Sequence, residues 1–144
     1  MAGRYPPPVL ARLAALAEAE PEREVCGLVV ERAAVLEVWP ARNAAPDPAD
    51  GFEIAPAEVL AALARLEAER GVLRAIYHSH PRGGAGLSAR DRAALTAGEE
   101  PLFPGVDLLV LALDRGLAVE IAAHRWDGRA FSRSALALPR DRPD

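Results

Sequence analysis

The chain is expected to fold as a single α/β domain, with a central mixed β-sheet and helices packed against it. Three observations predict this. Helix-like and strand-like segments intermingle along all 144 residues instead of segregating. Two apolar runs, VCGLVV and VDLLVLALD, are too continuous for half-exposed strands and read as strands buried on both faces. Strand pairs joined by short turns stand near both ends of the chain.

The elements follow in order. PPPVLARLAALAEAEPER opens on prolines suited to a first helical turn, carries Val9, Leu10, Leu13 and Leu16 at helical spacing, and is ended by Pro21. VCGLVVER and AVLEVWPARN read as a strand pair turning near Arg32 and Ala33, followed by a loop over Ala44 to Gly51. A second helix is expected from about Pro56 to Arg70, with Val59, Leu60, Leu63 and Leu66 on one stripe and Gly71 as its stop. VLRAIYHSH is a strand ended by Pro81, and the loop PRGGAGL leads into a third helix, SARDRAALTAG. VDLLVLALD, LAVEIAAHRW and RAFSRSALAL are the remaining strands, turning at Gly116 and at Asp127 and Gly128. The domain is placed over residues 1–138, with 139–144 a frayed charged tail.

Composition narrows the function. Apolar residues make up 51% and charged residues 26%, ordinary for a globular chain, and the net charge of −4 lacks the basic footprint of a nucleic-acid binder. The single cysteine, Cys26, forbids an internal disulfide. No signal-peptide pattern and no apolar run near the ~20 residues of a membrane span are present, so a cytoplasmic protein without membrane contact is expected.

Ligand-type side chains gather in IYHSHPRGGAGLSARD. His78 and His80 are two apart on a strand, so both imidazoles project from one face. Ser88 and Asp91 fall on the first turn of the next helix, from which Asp91 can reach the two rings. Two imidazoles and one carboxylate, with the fourth position left to water, form the open set of a catalytic zinc site; iron, cobalt or manganese would also suit these ligands. SARD by itself is also explained as a helix start, with Ser88 as N-cap and Asp91 at the third position. A phosphate loop is disfavoured, because the Walker lysine and the G-x-G-x-x-G spacing are both missing.

The order H-x-H, seven residues, Ser, two residues, Asp is met without a gap by HSHPRGGAGLSARD. In this the chain resembles the JAMM (MPN+, Mov34/PAD-1-like) zinc metallopeptidases, most closely the short single-domain prokaryotic type. EVCGLVV supplies Glu24 where that family places a glutamate before a Cys-Gly-Leu run, and Asn43, Phe52 and Pro56 match its loop ahead of the second helix. The resemblance runs from about Pro6 to Phe131. One departure is Leu87, where a proline often precedes the serine; with Gly83, Gly84 and Gly86 it suggests a looser loop beside the metal.

The resemblance implies a cytidine-deaminase-like mixed sheet and one Zn2+ per chain held by His78, His80 and Asp91. It further implies Glu24 as general base and Ser88 as a donor to the oxyanion. The implied activity is hydrolysis of the amide bond after the C-terminal Gly-Gly of a ubiquitin-like or sulfur-carrier protein; a homodimer is left open. The alternative is a non-catalytic zinc-binding module that recognises such a partner, against which intact Glu24 and Ser88 argue. Deamination is disfavoured because H-x-E and P-C-x-x-C are missing. A DNA-associated RadC-like role is disfavoured by the acidic charge and the short segment before the first strand. Ser79 is expected to face the opposite side of the sheet, His124 to be an ordinary strand histidine and Cys26 a small buried hydrophobe. Trp39 and Trp126 read as core or edge anchors.

Overall fold

A computed structural model describes residues 4–139. In chain order the elements are α1 (Pro7–Ala19), β1 (Cys26–Arg32), β2 (Val35–Ala41), α2 (Pro56–Ala68), β3 (Val72–His80), α3 (Ala89–Leu95), β4 (Thr96–Ala97), β5 (Glu100–Pro101), β6 (Asp107–Asp114), β7 (Leu117–Trp126) and β8 (Phe131–Leu136). Six strands form one sheet in the order β2-β1-β3-β6-β7-β8, with β3 and β6 parallel and the other neighbours antiparallel. This is the mixed sheet expected. Beyond Pro139, the tail set apart at 139–144 lies outside the described residues.

Both faces of the sheet are covered, which is why its central strands are almost wholly apolar. On one face Leu10, Leu13, Ala14 and Ala17 of α1 pack on Val29, Tyr77, Leu109, Leu111 and Ile121. On the other, Leu66 of α2 and Leu95 of α3 close over Leu28, Val30, Ile76 and Leu108. Strand alternation assigns β3 cleanly: Ala75 and Tyr77 lie under α1, while Ile76, and with it His78 and His80, face the side of α2 and α3.

The β1–β2 turn consists of Ala33 and Ala34, both at positive φ (51° and 64°), as a two-residue I′ hairpin requires; two alanines bear here the strain that Asn-Gly would avoid. The second helix stops as expected, but the left-handed residue is Arg70 (φ 57°), and the Gly71 amide closes the end on the Leu66 carbonyl at 2.7 Å. The third helix is shorter than expected. It ends at Leu95, Thr96 is already extended, and Gly98 at positive φ turns the chain into the β4–β5 hairpin.

Gly27, in the middle of β1, is required by close approach. A Cβ there would lie 2.5 Å from the Trp39 carbonyl oxygen and 2.6 Å from the Tyr77 ring. Gly27→Ala should therefore lower stability by about 2–3 kcal/mol, measured by urea unfolding. An unchanged midpoint would mean that β2 and Tyr77 can retreat without cost.

Candidate metal centre

His78 and His80 stand at the C-terminal end of β3, beside Val110 and Ala112 of the parallel neighbour β6. Asp91 reaches them from the first turn of α3. His78 Nε2 and His80 Nε2 each lie 3.0 Å from Asp91 Oδ2 and 3.1 Å from each other. Glu24, just ahead of β1, completes the group: one ligand-type atom from each of Glu24, His78, His80 and Asp91 lies within 4.8 Å of the others, and all four residues are buried.

Each side chain is fixed by its surroundings. The Ser88 hydroxyl accepts from the Asp91 amide at 3.0 Å, and the Ser88 amide donates to Asp91 Oδ2 at 3.0 Å. This reciprocal cap is the helix-start reading of SARD, and it also aims the Asp91 carboxylate at the histidines. His80 Nδ1 donates to the Gly84 carbonyl at 2.9 Å. His78 is covered by the Phe52 ring, stacked at 4.3 Å and 18°. Asn43, the chain's single asparagine, is fully engaged. Its amide donates to the Glu24 and Gly51 carbonyls, and its oxygen accepts from the Ala45 and Glu53 amides.

The electrostatics follow from burial. Burial keeps His78 below its ordinary pKa, hence neutral and able to offer a lone pair. Burial opposes the charge on Asp91, but hydrogen bonds from His78, His80 and the Ser88 amide outweigh it and hold the carboxyl far below the carboxylate range. Burial likewise pushes Glu24 up to about 7, with the nearby His80 pulling the other way.

The donor set fits a divalent cation. With Nδ1–H committed to Gly84, His80 turns Nε2 to the centre, beside His78 Nε2 and Asp91 Oδ2. Burial opposes a charge on His80, but its bonds to Asp91 and the Gly84 carbonyl and the nearby carboxylates hold its pKa above the ordinary value, so the centre attracts positive charge, a proton or a cation in its place. Three such atoms only 3.0–3.1 Å apart need a positive charge among them, supplied by a proton or by a metal cation in its place. The edge of a tetrahedron with metal–nitrogen bonds of about 2.0–2.1 Å is roughly 3.3 Å, only a little longer than these contacts. Among the described residues, Glu24 Oε1 and His78 Nδ1 are buried without a hydrogen-bond partner, and such atoms call for a functional explanation.

The remaining expectations sort as follows. Ser79 faces away and accepts from the Val25 amide at 2.9 Å. Cys26 is buried, its thiol pushed up to about 12 chiefly by burial, so it remains protonated and offers no nucleophile. Trp39 is a half-buried edge residue under the Arg65 guanidinium, and Trp126 meets Phe131 edge-on. The looser loop expected from Leu87 and the three glycines is instead anchored. Gly84 is bound to His80, Ala85 to His124 and Glu120, and Ala85 is fully buried. Sequence reasoning matched Asn43 and Phe52 without giving them tasks; a lone asparagine amid a chain of Ala and Arg was the available signal. Asn43→Ala strands two carbonyls and two amides and should cost about 2–3 kcal/mol in urea unfolding. No loss would show that other contacts hold the Glu24 loop.

Comparison with known proteins places this geometry in a family. The prokaryotic homologs of the JAB domain match over residues 6–124. A desampylase of Haloferax volcanii is 29% identical over 125 residues, covering 85% of this chain and 83% of that protein. A probable TtuB-protein conjugate cleaving protease of Thermus thermophilus is 43% identical over 72 residues, half of this chain and 49% of that one. A solution structure from Desulfitobacterium hafniense has the same fold, with a TM-score of 0.65 at 23% identity over 91% of this chain and 88% of that one. With its six-stranded mixed sheet and its buried Glu-His-His-Asp group, the chain belongs to the prokaryotic JAB-domain family.

Proposed function

We propose that this chain is a zinc-dependent peptidase that hydrolyses the amide bond after the C-terminal Gly-Gly of a ubiquitin-like or sulfur-carrier protein. One observation carries the reading: a buried, unpartnered carboxylate oxygen, on Glu24, beside an open set of two imidazoles and one carboxylate. A binding module has no use for that expensive group. The names of the relatives, a desampylase and a protease of protein conjugates, support the substrate class.

His78, His80 and Asp91 would hold the metal. When bound, the cation supplies a water of lowered pKa and an electrophile for the scissile carbonyl. Glu24 takes the proton of the attacking water and returns it to the leaving amine. Its burial favours both tasks, since a carboxylate near neutrality can accept and release a proton in one cycle. Ser88 Oγ already accepts from the Asp91 amide, which leaves its O–H free to donate to the oxyanion. Phe52 holds the His78 ring plane, and Asn43 holds the Glu24 backbone.

The surroundings suit a protein tail. A cleft of about 350 Å3 lined by Glu22, Glu24, Asp50, Pro81 and Arg82 leads to Glu24. An apolar groove of about 560 Å3, lined among others by Ile54, Leu60, Leu95 and Phe103, shares Phe52 with the metal centre. A Gly-Gly tail offers no side chains to obstruct such a passage. No helix among the described residues is long and apolar enough to cross a membrane.

The test is cleavage of carrier proteins extended beyond Gly-Gly, followed by mass spectrometry. Zinc-loaded wild type should cut after Gly-Gly. Glu24→Gln should keep its zinc and lose about 10²–10⁴ in rate. Ser88→Ala should lose about 10²–10³ through the missing donor, together with about 0.5–2 kcal/mol of stability through the missing cap. A zinc-loaded wild type that leaves every such fusion intact, or a Glu24→Gln as fast as wild type, would contradict the proposal.

A further inference from the structure

The loop between β3 and α3 is held by a strand two places away in the sheet. His124 Nε2 on β7 donates to the Ala85 carbonyl at 2.8 Å, and Glu120 Oε1 on the same strand accepts from the Ala85 amide at 3.3 Å. Both backbone polar groups of one loop residue are thus taken by side chains of one strand. Glu120, Ala122 and His124 share a face by alternation, and Ala122 pairs with Val110, the strand neighbour of His78. Ala112 and Ala122 are small enough for Ala85 to pack flat on the sheet beside them. One residue before this anchor, the Gly84 carbonyl receives the Nδ1–H of His80.

The outer end of the chain of contacts is also tied. Glu120 Oε2 takes Arg133 of β8 at 2.6 Å, and an added Cβ on Gly86 would lie 3.3 Å from Arg133 Nη1. A continuous path therefore runs from Arg133 through Glu120 and Ala85 to Gly84 and His80. His124 is not a ligand, since both its position and its bond direct it to the loop; it is more than an ordinary strand histidine.

We propose that Glu120 and His124 are positioning residues for the metal centre. By clamping Ala85 they hold the Gly84 carbonyl against His80 Nδ1, and so fix the ring plane of His80 with Nε2 turned toward His78 and Asp91. Partners of a metal-bound histidine typically contribute 10–100-fold to metal affinity, and a clamp acting one bond further out should contribute about tenfold. The inference rests on the metal-site reading given above.

The test compares wild type with His124→Phe, which keeps a ring and loses the donor, His124→Gln, which can present an amide N–H to the same carbonyl, and Glu120→Ala. Three readouts are taken: the zinc dissociation constant by chelator competition, the visible spectrum of the cobalt(II)-substituted protein, and amide hydrogen exchange of residues 84–87 in the metal-free chain. His124→Phe should bind zinc about tenfold more weakly, shift the cobalt spectrum and speed loop exchange. His124→Gln should recover most of the affinity, and Glu120→Ala should repeat the effect in smaller measure. Unchanged zinc constants and cobalt spectra in folded His124→Phe and Glu120→Ala would overturn the proposal, leaving the clamp merely structural. If His124→Phe does not fold, Glu120→Ala at its half-exposed site decides alone. A wild type that takes up no metal defeats the peptidase reading instead, and unchanged loop exchange in the metal-free variants would then defeat the clamp separately.

Discussion

A single carboxylate oxygen organises the functional end of this molecule. Asp91 Oδ2 meets the Ser88 amide, His78 Nε2 and His80 Nε2, each at 3.0 Å, in a place where an isolated charge would cost several kcal/mol. The Ser88 amide is the one local donor to it, and the rest of the compensation comes from β3. The oxygen is tolerable because α3 begins at Ser88, because β3 ends with two histidines on the facing side, and because a positive charge can be shared among the three groups. Burial that would destabilise any one member is met by the assembled set, whose donors fit a divalent cation.

From this follows the double duty of several residues. Ser88 caps a helix and keeps its hydroxyl proton uncommitted, so in the proposed reading its replacement would disturb both folding and catalysis, and the two must be read separately. Asn43 spends all its hydrogen-bonding capacity on the Glu24 and Gly51 carbonyls and on two loop amides, which makes the loop after β2 part of the active-site scaffold. Phe52 belongs at once to the core under α2 and to the wall behind His78. The site is thus assembled from rigid elements and well-tied loops, as precise chemistry demands.

Much of this was legible in the residues because it depends on short periods. Strand alternation put His78 and His80 on one face and Ser79 on the other. Capping chemistry put Ser88 and Asp91 on a first turn, and the continuous apolar runs announced a sheet covered on both sides. What was not legible depends on pairings remote in sequence. The contacts of Ala85 with Glu120 and His124 span 35 and 39 residues, so the glycines around Ala85 suggested looseness where the fold provides an anchor. The early end of α3 turns on a hairpin of two-residue strands, too short to leave a periodic pattern. Glu24 could not be told from its neighbouring acids by spacing; it is distinguished by its burial beside His78, His80 and Asp91.

Metal content tests the account most directly. Tag-free wild-type protein, His80→Ala and Asp91→Ala would be equilibrated with zinc, freed of excess and analysed by elemental mass spectrometry. The account predicts close to one zinc per wild-type chain and loss of it from both variants. A folded wild type that remains metal-free after zinc is offered would contradict it, and would reduce Ser88 and Asp91 to a helix cap.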